Sequence, residues 1–143
     1  MKIALAADHG GFELKEKVKV YLEQKGIEVL DLGTNNEESV DYPNYGKACG
    51  EAVMRGDAER GIVVCGTGIG ISIAANKVKG IRCALCTNTF MAEMASKHND
   101  ANILSLGGRV LEPELALEIV EVWLTTAFEG GRHQRRVDLL NSI

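Results

Sequence analysis

Cys65 begins a glycine-rich loop, CGTGIG, with glycines at Gly66, Gly68 and Gly70. The spacing is not that of a nucleotide loop. No Gly-Lys pair follows Gly66, as a Walker A loop requires, and the pattern is GxGxG rather than the GxGxxG of dinucleotide sites. Glycines still let backbone N–H groups crowd around an anion, and the helix predicted to start near Gly70 adds its positive end. We therefore expect the loop to bind negative charge, unless its glycines serve only the steric needs of a tight turn.

The thiol of Cys65 is predicted to lie at the end of a strand, beside the positive end of that helix. A helix N-terminus stabilises a thiolate, so Cys65 is a candidate for a reactive base. A thiolate next to N–H donors can remove a proton from carbon while the donors hold the oxyanion that forms. This is the chemistry of enolisation. The alternative is a small core residue that fills the end of a strand.

The three other cysteines are expected to be inert. Cys83 and Cys86 form a CxxC sequence, but they lie within a predicted strand, where they would point to opposite faces of the sheet. Cys49 lies in a predicted helix. None of the three has partners at a familiar metal-ligand spacing.

Basic residues that could bind a phosphate cluster near the C-terminus, in GGRHQRR. Arg132 and Arg136 are four residues apart, so they share one face of a helix, and two guanidinium groups suit a phosphate. Arg109 follows the fifth predicted strand and is a further candidate. The alternative is a solvated basic face. Together with a thiolate base and an oxyanion loop, the arginines indicate a small phosphorylated carbonyl compound as substrate.

The three histidines, His9, His98 and His133, all occur in polar, loop-like stretches. No HxH or HxxxH pair supports a three-histidine metal site. We therefore expect no metal and no other cofactor.

The elements that must position these residues alternate along the chain. Five short, branched apolar stretches are typical of strands buried on both faces of a parallel sheet; they cover 2–7, 27–32, 61–65, 81–86 and 102–107. Amphipathic stretches predict helices at about 12–26, 44–55, 70–78, 88–97, 113–128 and 134–142. The pattern predicts a Rossmann-like α/β fold, a three-layer α/β/α sandwich with a five-stranded parallel sheet. In such folds, ligands bind beyond the carboxyl ends of the strands.

The size and charge of the chain limit the classes of partner. Its 143 residues suit one domain, 1–143, and the net charge of −4 gives no general reason to expect nucleic acid or an acidic membrane surface. No apolar run reaches the length of a membrane span, and the N-terminal apolar stretch is too short for a signal peptide. The sequence therefore predicts a cytoplasmic protein with reduced cysteines.

Five segments, in order, resemble those of the type B ribose-5-phosphate isomerases, which are related to allose- and galactose-phosphate isomerases. They are AADHGGFELK, DYPNY, CGTGIGISIAANK, HNDANILSLGGR and EGGRHQRRV, and the resemblance covers essentially the whole chain. It implies a metal-independent aldose–ketose isomerase that interconverts D-ribose 5-phosphate and D-ribulose 5-phosphate through a cis-enediolate. The alternatives are a six-carbon substrate, such as allose 6-phosphate, and a sugar-phosphate sensor without turnover.

The resemblance also implies roles for individual residues. Cys65 would move the proton between C1 and C2 of the open-chain sugar, and His98 would open the furanose ring, with Asp8 and the catalytic Thr67 close to the sugar oxygens. The remaining residues would bind substrate. The enediolate oxygens would be held by the backbone of Gly66, Thr67, Gly68, Ile69 and Gly70. The sugar would be contacted by Tyr42 and Asn99, and the phosphate would be bound by His9, Arg109, Arg132 and Arg136.

An oligomer is implied by the same resemblance, because members of the family are usually homodimers or dimers of dimers whose active sites are built by two chains. The long apolar helix around Trp123 is a candidate interface or a part of the core. Another branch of the family places a glutamate base where this chain has Ile71, so the chain resembles the cysteine branch.

Overall fold

Five strands and six helices alternate along the chain in the computed structural model, which describes residues 1–143. The strands are β1 (Lys2–Ala7), β2 (Glu28–Asp31), β3 (Arg60–Cys65), β4 (Cys83–Leu85) and β5 (Ile103–Gly107). The helices are α1 (Phe12–Gln24), α2 (Tyr42–Arg55), α3 (Ile69–Asn76), α4 (Thr89–Lys97), α5 (Pro113–Thr125) and α6 (Arg132–Asn141). None of the six helices is both long and apolar enough to cross a membrane.

Local chemistry explains where several elements begin. Helix α2 starts at Tyr42, two residues before the predicted start, because Pro43 suits the first turn of a helix and follows an extended Asp41. Strand β4 is shorter than predicted. It starts at Cys83 because the Arg82 N–H donates to the side chain of Asn102 at 2.7 Å instead of to a neighbouring strand.

The sheet is parallel throughout, with the strand order β2-β1-β3-β5-β4. This confirms the predicted α/β class. The chain leaves β1 towards one edge of the sheet and leaves β3 towards the other, so the order reverses between β1 and β3. In open parallel sheets a crevice forms at such a point, beyond the carboxyl ends of the strands. Asp8 and Cys65 flank this crevice, and the Asp8 N–H donates to the carbonyl of Val64 at 3.2 Å.

Two apolar layers cover the faces of the sheet. Helices α1, α4 and α5 bury their apolar sides on one face, and α2 and α3 bury theirs on the other. Trp123 of α5 is fully buried in the first layer, so its side chain belongs to the core of the chain. Cys83 and Cys86 pack against opposite layers, as strand geometry predicted.

A buried ion pair connects α1 to the end of β2. The Lys15 ammonium is fully buried and lies 2.7 and 2.9 Å from the two oxygens of Asp31. Asp31 also accepts the Gly33 N–H at 3.0 Å, and the Gly33 carbonyl accepts the Ala7 N–H at 2.7 Å. The pair therefore fixes the segment that runs beside the end of β1, directly before Asp8.

The pKa of the Asp31 carboxyl lies below its ordinary value. Burial alone would raise it, but hydrogen bonds from Lys15, from the backbone of Gly33 and from Lys19 outweigh burial. Because the folded state holds this group as the carboxylate, its contribution to stability is present above the unfolded pKa. That contribution is lost as the pH falls through the lower, folded pKa.

The substitution Asp31→Asn should lower the free energy of unfolding by about 3 kcal/mol. It removes the carboxylate nearest the buried Lys15 ammonium and leaves only that of Glu16, 3.5 Å away. Urea unfolding at pH 7 measures the change. Acid lowers the free energy of unfolding, and the part of that loss that depends on Asp31 should be absent in the variant.

Glu28→Gln is the matched control, because it removes an exposed ion pair with Lys2 on the neighbouring strand. It should cost less than about 1 kcal/mol. Equal losses in the two variants would contradict a special role for the buried pair.

Candidate active site

A cleft of about 460 Å³ opens at the switch point between β1 and β3. Three predicted site residues from separate segments line it: Asp8 after β1, Tyr42 at the start of α2, and Cys65 at the end of β3. The glycine loop and Ile73 of α3 form the rest of the wall. Parallel strand geometry therefore brings Asp8 and Tyr42, two of the residues predicted to lie near the sugar, together with the thiol predicted to move its proton.

One backbone N–H of the glycine loop points at the Cys65 thiol. The Gly68 N–H donates to Cys65 Sγ at 3.1 Å, and the Cys65 side chain is 5% exposed. Gly68 has a φ of 80° and precedes the first residue of α3, so the sulfur lies at the N-terminal end of that helix. Uncapped N–H groups and the helix dipole both favour negative charge at this point. The geometry is that expected of an anion-binding loop, and the predicted role of the loop stays a prediction.

Glycine is required at Gly68 for space as well as for conformation. A Cβ there would lie 2.9 Å from the carbonyl carbon of Leu106 on β5. The hydroxyl of Ser105 fixes the loop further by donating to the Gly68 carbonyl at 2.7 Å. The loop is therefore held rigidly against β5, which suits a preorganised oxyanion site.

Tyr42 packs directly on the loop. A Cβ at Gly70 would lie 2.6 Å from the Tyr42 ring, so glycine lets the ring approach the loop backbone. The tyrosine remains 42% exposed and forms an outer wall of the cleft. Thr67 is held on the loop, where its hydroxyl oxygen accepts the Ile69 N–H at 3.1 Å.

The other cysteines lie in apolar surroundings. Burial raises the pKa of the Cys49 thiol to about 12 and that of Cys86 to about 11. Burial also raises the pKa of Cys83, with smaller contributions from Cys49 and Cys86. These three groups stay protonated at neutral pH, and none lines the cleft.

His9 and Arg109 form a second lobe beside this cleft, in a cavity of about 310 Å³. The guanidinium of Arg109 lies against Gly10 and Gly66, where an added Cβ would approach it to 3.3 Å. His9 Nδ1 accepts the Val40 N–H at 3.1 Å, so in the neutral ring Nε2 carries the proton. These two residues of the predicted phosphate set therefore lie together, next to the thiol loop.

The same cavity contains two carboxylates, from Glu13 and Glu37. They offset the positive charge of Arg109. One chain alone thus gives this lobe no excess of positive charge with which to bind a phosphate dianion.

The remaining predicted site residues lie at the other end of the strands, near their amino ends. They are His98, Asn99, Arg132 and Arg136. Helix α4 starts beyond the carboxyl end of β4 and runs back, so His98 at its end lies near the amino ends of the strands. The Asn102 carbonyl, just after this segment, accepts the N–H of Gly61 at the start of β3. The six residues of β3, at about 3.3 Å per residue, put roughly 17 Å between that start and Cys65. Within one chain, the predicted site residues therefore form two separate groups.

Two arginines that were not singled out in the sequence hold the segment of His98 and Asn99. Arg82 donates to the carbonyl of Asn99 at 3.1 Å and to that of Asp100 at 2.8 Å. Arg60 donates to Ser96 and to the Ala101 carbonyl, on either side of His98. The Arg60 guanidinium also stacks on the Trp123 ring, 3.6 Å from its centre. Both arginines lie next to apolar strand residues, and no local pattern indicates which carbonyls they reach.

His98 stacks on His133, with ring centres 4.1 Å apart and planes 13° apart. Ligand atoms of His98, Glu129 and His133 lie within 4.8 Å of one another. Imidazole binds a metal in the plane of its ring, so two nearly parallel, stacked rings cannot both point at one ion without rotation. The geometry is that of an aromatic pair, and the sequence expectation that no metal is required stays a prediction.

The fold and the cleft define a class: doubly wound parallel α/β proteins with a thiol, a backbone N–H donor and a polar lobe lined by histidine and arginine at the switch point. The sequence profile of the ribose/galactose isomerase family matches residues 3–140, and the chain belongs to this family.

Individual relatives agree with this assignment. Ribose-5-phosphate isomerase B of Escherichia coli (strain K12) is 47% identical over 142 residues, which cover 99% of this chain and 95% of the relative. The solved ribose-5-phosphate isomerase B of Clostridium thermocellum is 56% identical, with a TM-score of 0.98 over 99% of this chain and 96% of that one. The enzyme of Mycoplasma genitalium, solved with bound ribulose 5-phosphate, is 39% identical, with a TM-score of 0.94 over 99% and 94% of the two chains. The family resemblance predicted from the motifs is therefore confirmed.

Proposed function

We propose that this protein is an aldose–ketose isomerase that interconverts D-ribose 5-phosphate and D-ribulose 5-phosphate. The observation that carries the proposal is the Cys65 thiol, which accepts the Gly68 N–H inside the switch-point cleft. Membership of the ribose/galactose isomerase family supports the same activity. A protein that only bound sugar phosphate would have no need of a thiol beside an oxyanion loop. The four free cysteines fit a reducing, cytoplasmic compartment.

Proton transfer is assigned to the cleft of one chain. The Cys65 thiolate removes the C2 proton of open-chain ribose 5-phosphate, and the electron pair of that C–H bond forms the C1–C2 double bond of an enediolate. N–H groups of the glycine loop hold the negative oxygen, where preorganised donors contribute most. The thiol then returns the proton to C1 while the O2 hydroxyl proton passes to O1, so C2 becomes the carbonyl carbon of ribulose 5-phosphate and the total of atoms and electrons is unchanged.

Ring opening is assigned to a second copy of the chain. Ribose 5-phosphate is mainly a furanose, so a group that moves protons must open the ring before Cys65 can act. His98 has that chemistry, yet it lies a strand length from Cys65 in its own chain. In a two-fold symmetric dimer, the end of each chain that carries His98 can face the Cys65 cleft of the other chain. Two identical sites then form, each built from both chains.

Phosphate binding is divided in the same way. His9 and Arg109 line a lobe that also holds Glu13 and Glu37, so further positive charge is needed there. The exposed Arg132 and Arg136 on α6 of the second copy supply it. Asn99, next to His98, would reach the sugar from the same side.

Cys65→Ala should lower turnover of ribose 5-phosphate by about 100- to 10,000-fold, the range that a general acid–base group contributes. Substrate binding should remain, since the loop and the cationic residues are intact. In D2O, wild-type protein should place deuterium at C2 of recovered ribose 5-phosphate, and the variant should not. NMR measures both the turnover and the label.

Cys83→Ala is the control, because that thiol lies outside the cleft, and its turnover should stay close to that of wild type. Near-normal turnover in Cys65→Ala would refute the assignment of the base.

Arg132→Ala and Arg136→Ala should each raise the KM for ribose 5-phosphate about tenfold or more, since a hydrogen bond to a charged group contributes about 1.5–3 kcal/mol. Steady-state kinetics at constant ionic strength gives the values. Arg55→Ala removes an equally exposed arginine, paired with Asp57 at the end of α2, and should leave KM unchanged. An unchanged KM in both α6 variants would rule out their phosphate role.

A further inference from the structure

His133 is a buried polar side chain to which neither the family resemblance nor the proposed chemistry assigns a role. It lies in the first turn of α6 and is 5% exposed. Its Nε2 has no hydrogen-bond partner, and the nearest carboxylate oxygen, from Glu129, is 3.6 Å away. Buried polar atoms of this kind are rare in folded proteins and call for a specific reason.

The contact that His133 does make is with His98. The two rings stack nearly parallel, with centres 4.1 Å apart. The backbone fixes this arrangement, because the Glu129 N–H donates to the Lys97 carbonyl at 3.0 Å and the His133 N–H donates to the Gly130 carbonyl at 3.0 Å. The start of α6 is thereby attached to the end of α4, and each brings one imidazole to the stack.

His98 needs such a support. It caps the C-terminus of α4, is half-buried, and its ring makes no hydrogen bond within the chain. An imidazole that transfers a proton must hold its nitrogen in one direction, since small displacements cost much of the rate. In most sites a hydrogen bond to the second ring nitrogen supplies this orientation. Here the face of His133 is the structural feature that restrains the ring.

We propose that His133 is a positioning residue, whose imidazole stacks on His98 and holds it in the orientation that opens the sugar ring. This inference rests on the proposed function, and in particular on the assignment of ring opening to His98. His133 itself does not touch the substrate or exchange a proton with it.

The charge around the pair is compatible with this role. Burial lowers the pKa of His133, and His98, Arg132 and Arg136 lower it further, while Glu129 acts in the opposite direction. His133 is therefore neutral at neutral pH. A neutral partner does not repel His98 when His98 carries the proton that it delivers.

The ring-opening step can be separated from the proton transfer at carbon. In ribose 5-phosphate, His98 protonates O4 as the C1–O4 bond breaks, the C1 hydroxyl proton passes to water, and His98 recovers a proton from water. Ribulose 5-phosphate has no ring to open, because the hydroxyl that would close a five-membered ring on C2 carries the phosphate. Exchange of a C1 proton of ribulose 5-phosphate with D2O therefore needs the Cys65 base but not His98.

The test compares His133→Ala with His133→Phe, which keeps a flat ring on His98. Turnover of ribose 5-phosphate and deuterium exchange at C1 of ribulose 5-phosphate are measured by NMR on the same samples. In His133→Ala, turnover should fall about tenfold or more, a part of the 100- to 10,000-fold that acid–base groups supply, while exchange stays near the wild-type rate. His133→Phe should recover most of the turnover. An equal loss of both rates in both variants, or unchanged turnover in His133→Ala, would overturn the proposal.

His98→Asn distinguishes a failure of this inference from a failure of the proposed function. If His98 opens the ring, this variant should lose turnover and keep exchange, which is the pattern expected of His133→Ala in a stronger form. Loss of exchange in His98→Asn, or absence of both activities in the wild-type protein, would instead refute the function from which the inference starts.

Discussion

All five strands run in one direction. Each segment that follows a strand therefore lies beyond the carboxyl ends of the strands, and each segment that follows a crossover helix lies beyond their amino ends. Cys65 ends strand β3, and Asp8, His9 and Arg109 follow strands. His98 follows α4, and Arg132 opens the helix that packs beside it. The polarity of a parallel sheet therefore separates the reactive side chains into two groups, which no rearrangement of side chains could join within one chain. In the proposed mechanism, a second copy of the chain brings the two groups together.

The region beyond the carboxyl ends of the strands suits carbanion chemistry, because unpaired backbone N–H donors are concentrated there. The loop after β3 has no side chain that could neutralise an oxyanion, yet it lines the cleft and its Gly68 N–H donates to the sulfur. The rigidity of this loop depends on Gly68 and its contact with β5. The Lys15–Asp31 pair stabilises the same end of the sheet, because it fixes the segment beside β1. The residues that pack the first layer thus affect function indirectly, because they fix where two strands end.

Much of this arrangement could be predicted from the sequence, because it depends on local patterns. Buried strands give continuous apolar runs and helices give amphipathic ones, so every element was located to within a few residues. Cys65 and its loop form one contiguous motif, and the strand-end rule places it in the cleft. Local patterns could not reveal the stack of His98 on His133, since 35 residues separate them and the contact depends on how α6 packs on α4. Arg60 and Arg82 were missed for the same reason, because they bind backbone carbonyls, which have no sequence signature. The apolar pattern around Trp123 fitted both a core and an interface, and only tertiary packing distinguishes them.

A mixed dimer measures whether each active site joins the Cys65 group of one chain to the His98 group of another. Cys65→Ala and His98→Asn chains carrying different tags are co-expressed, and the mixed species is purified through both tags. If the sites are shared, one of its two sites is intact, so it should regain about half of the wild-type turnover of ribose 5-phosphate, although each parent is inactive. Pairing Cys65→Ala with a chain that carries both substitutions leaves no intact site and should stay inactive. A mixed dimer as inactive as its parents would contradict the account, because it would mean that Cys65 and His98 act within the same chain.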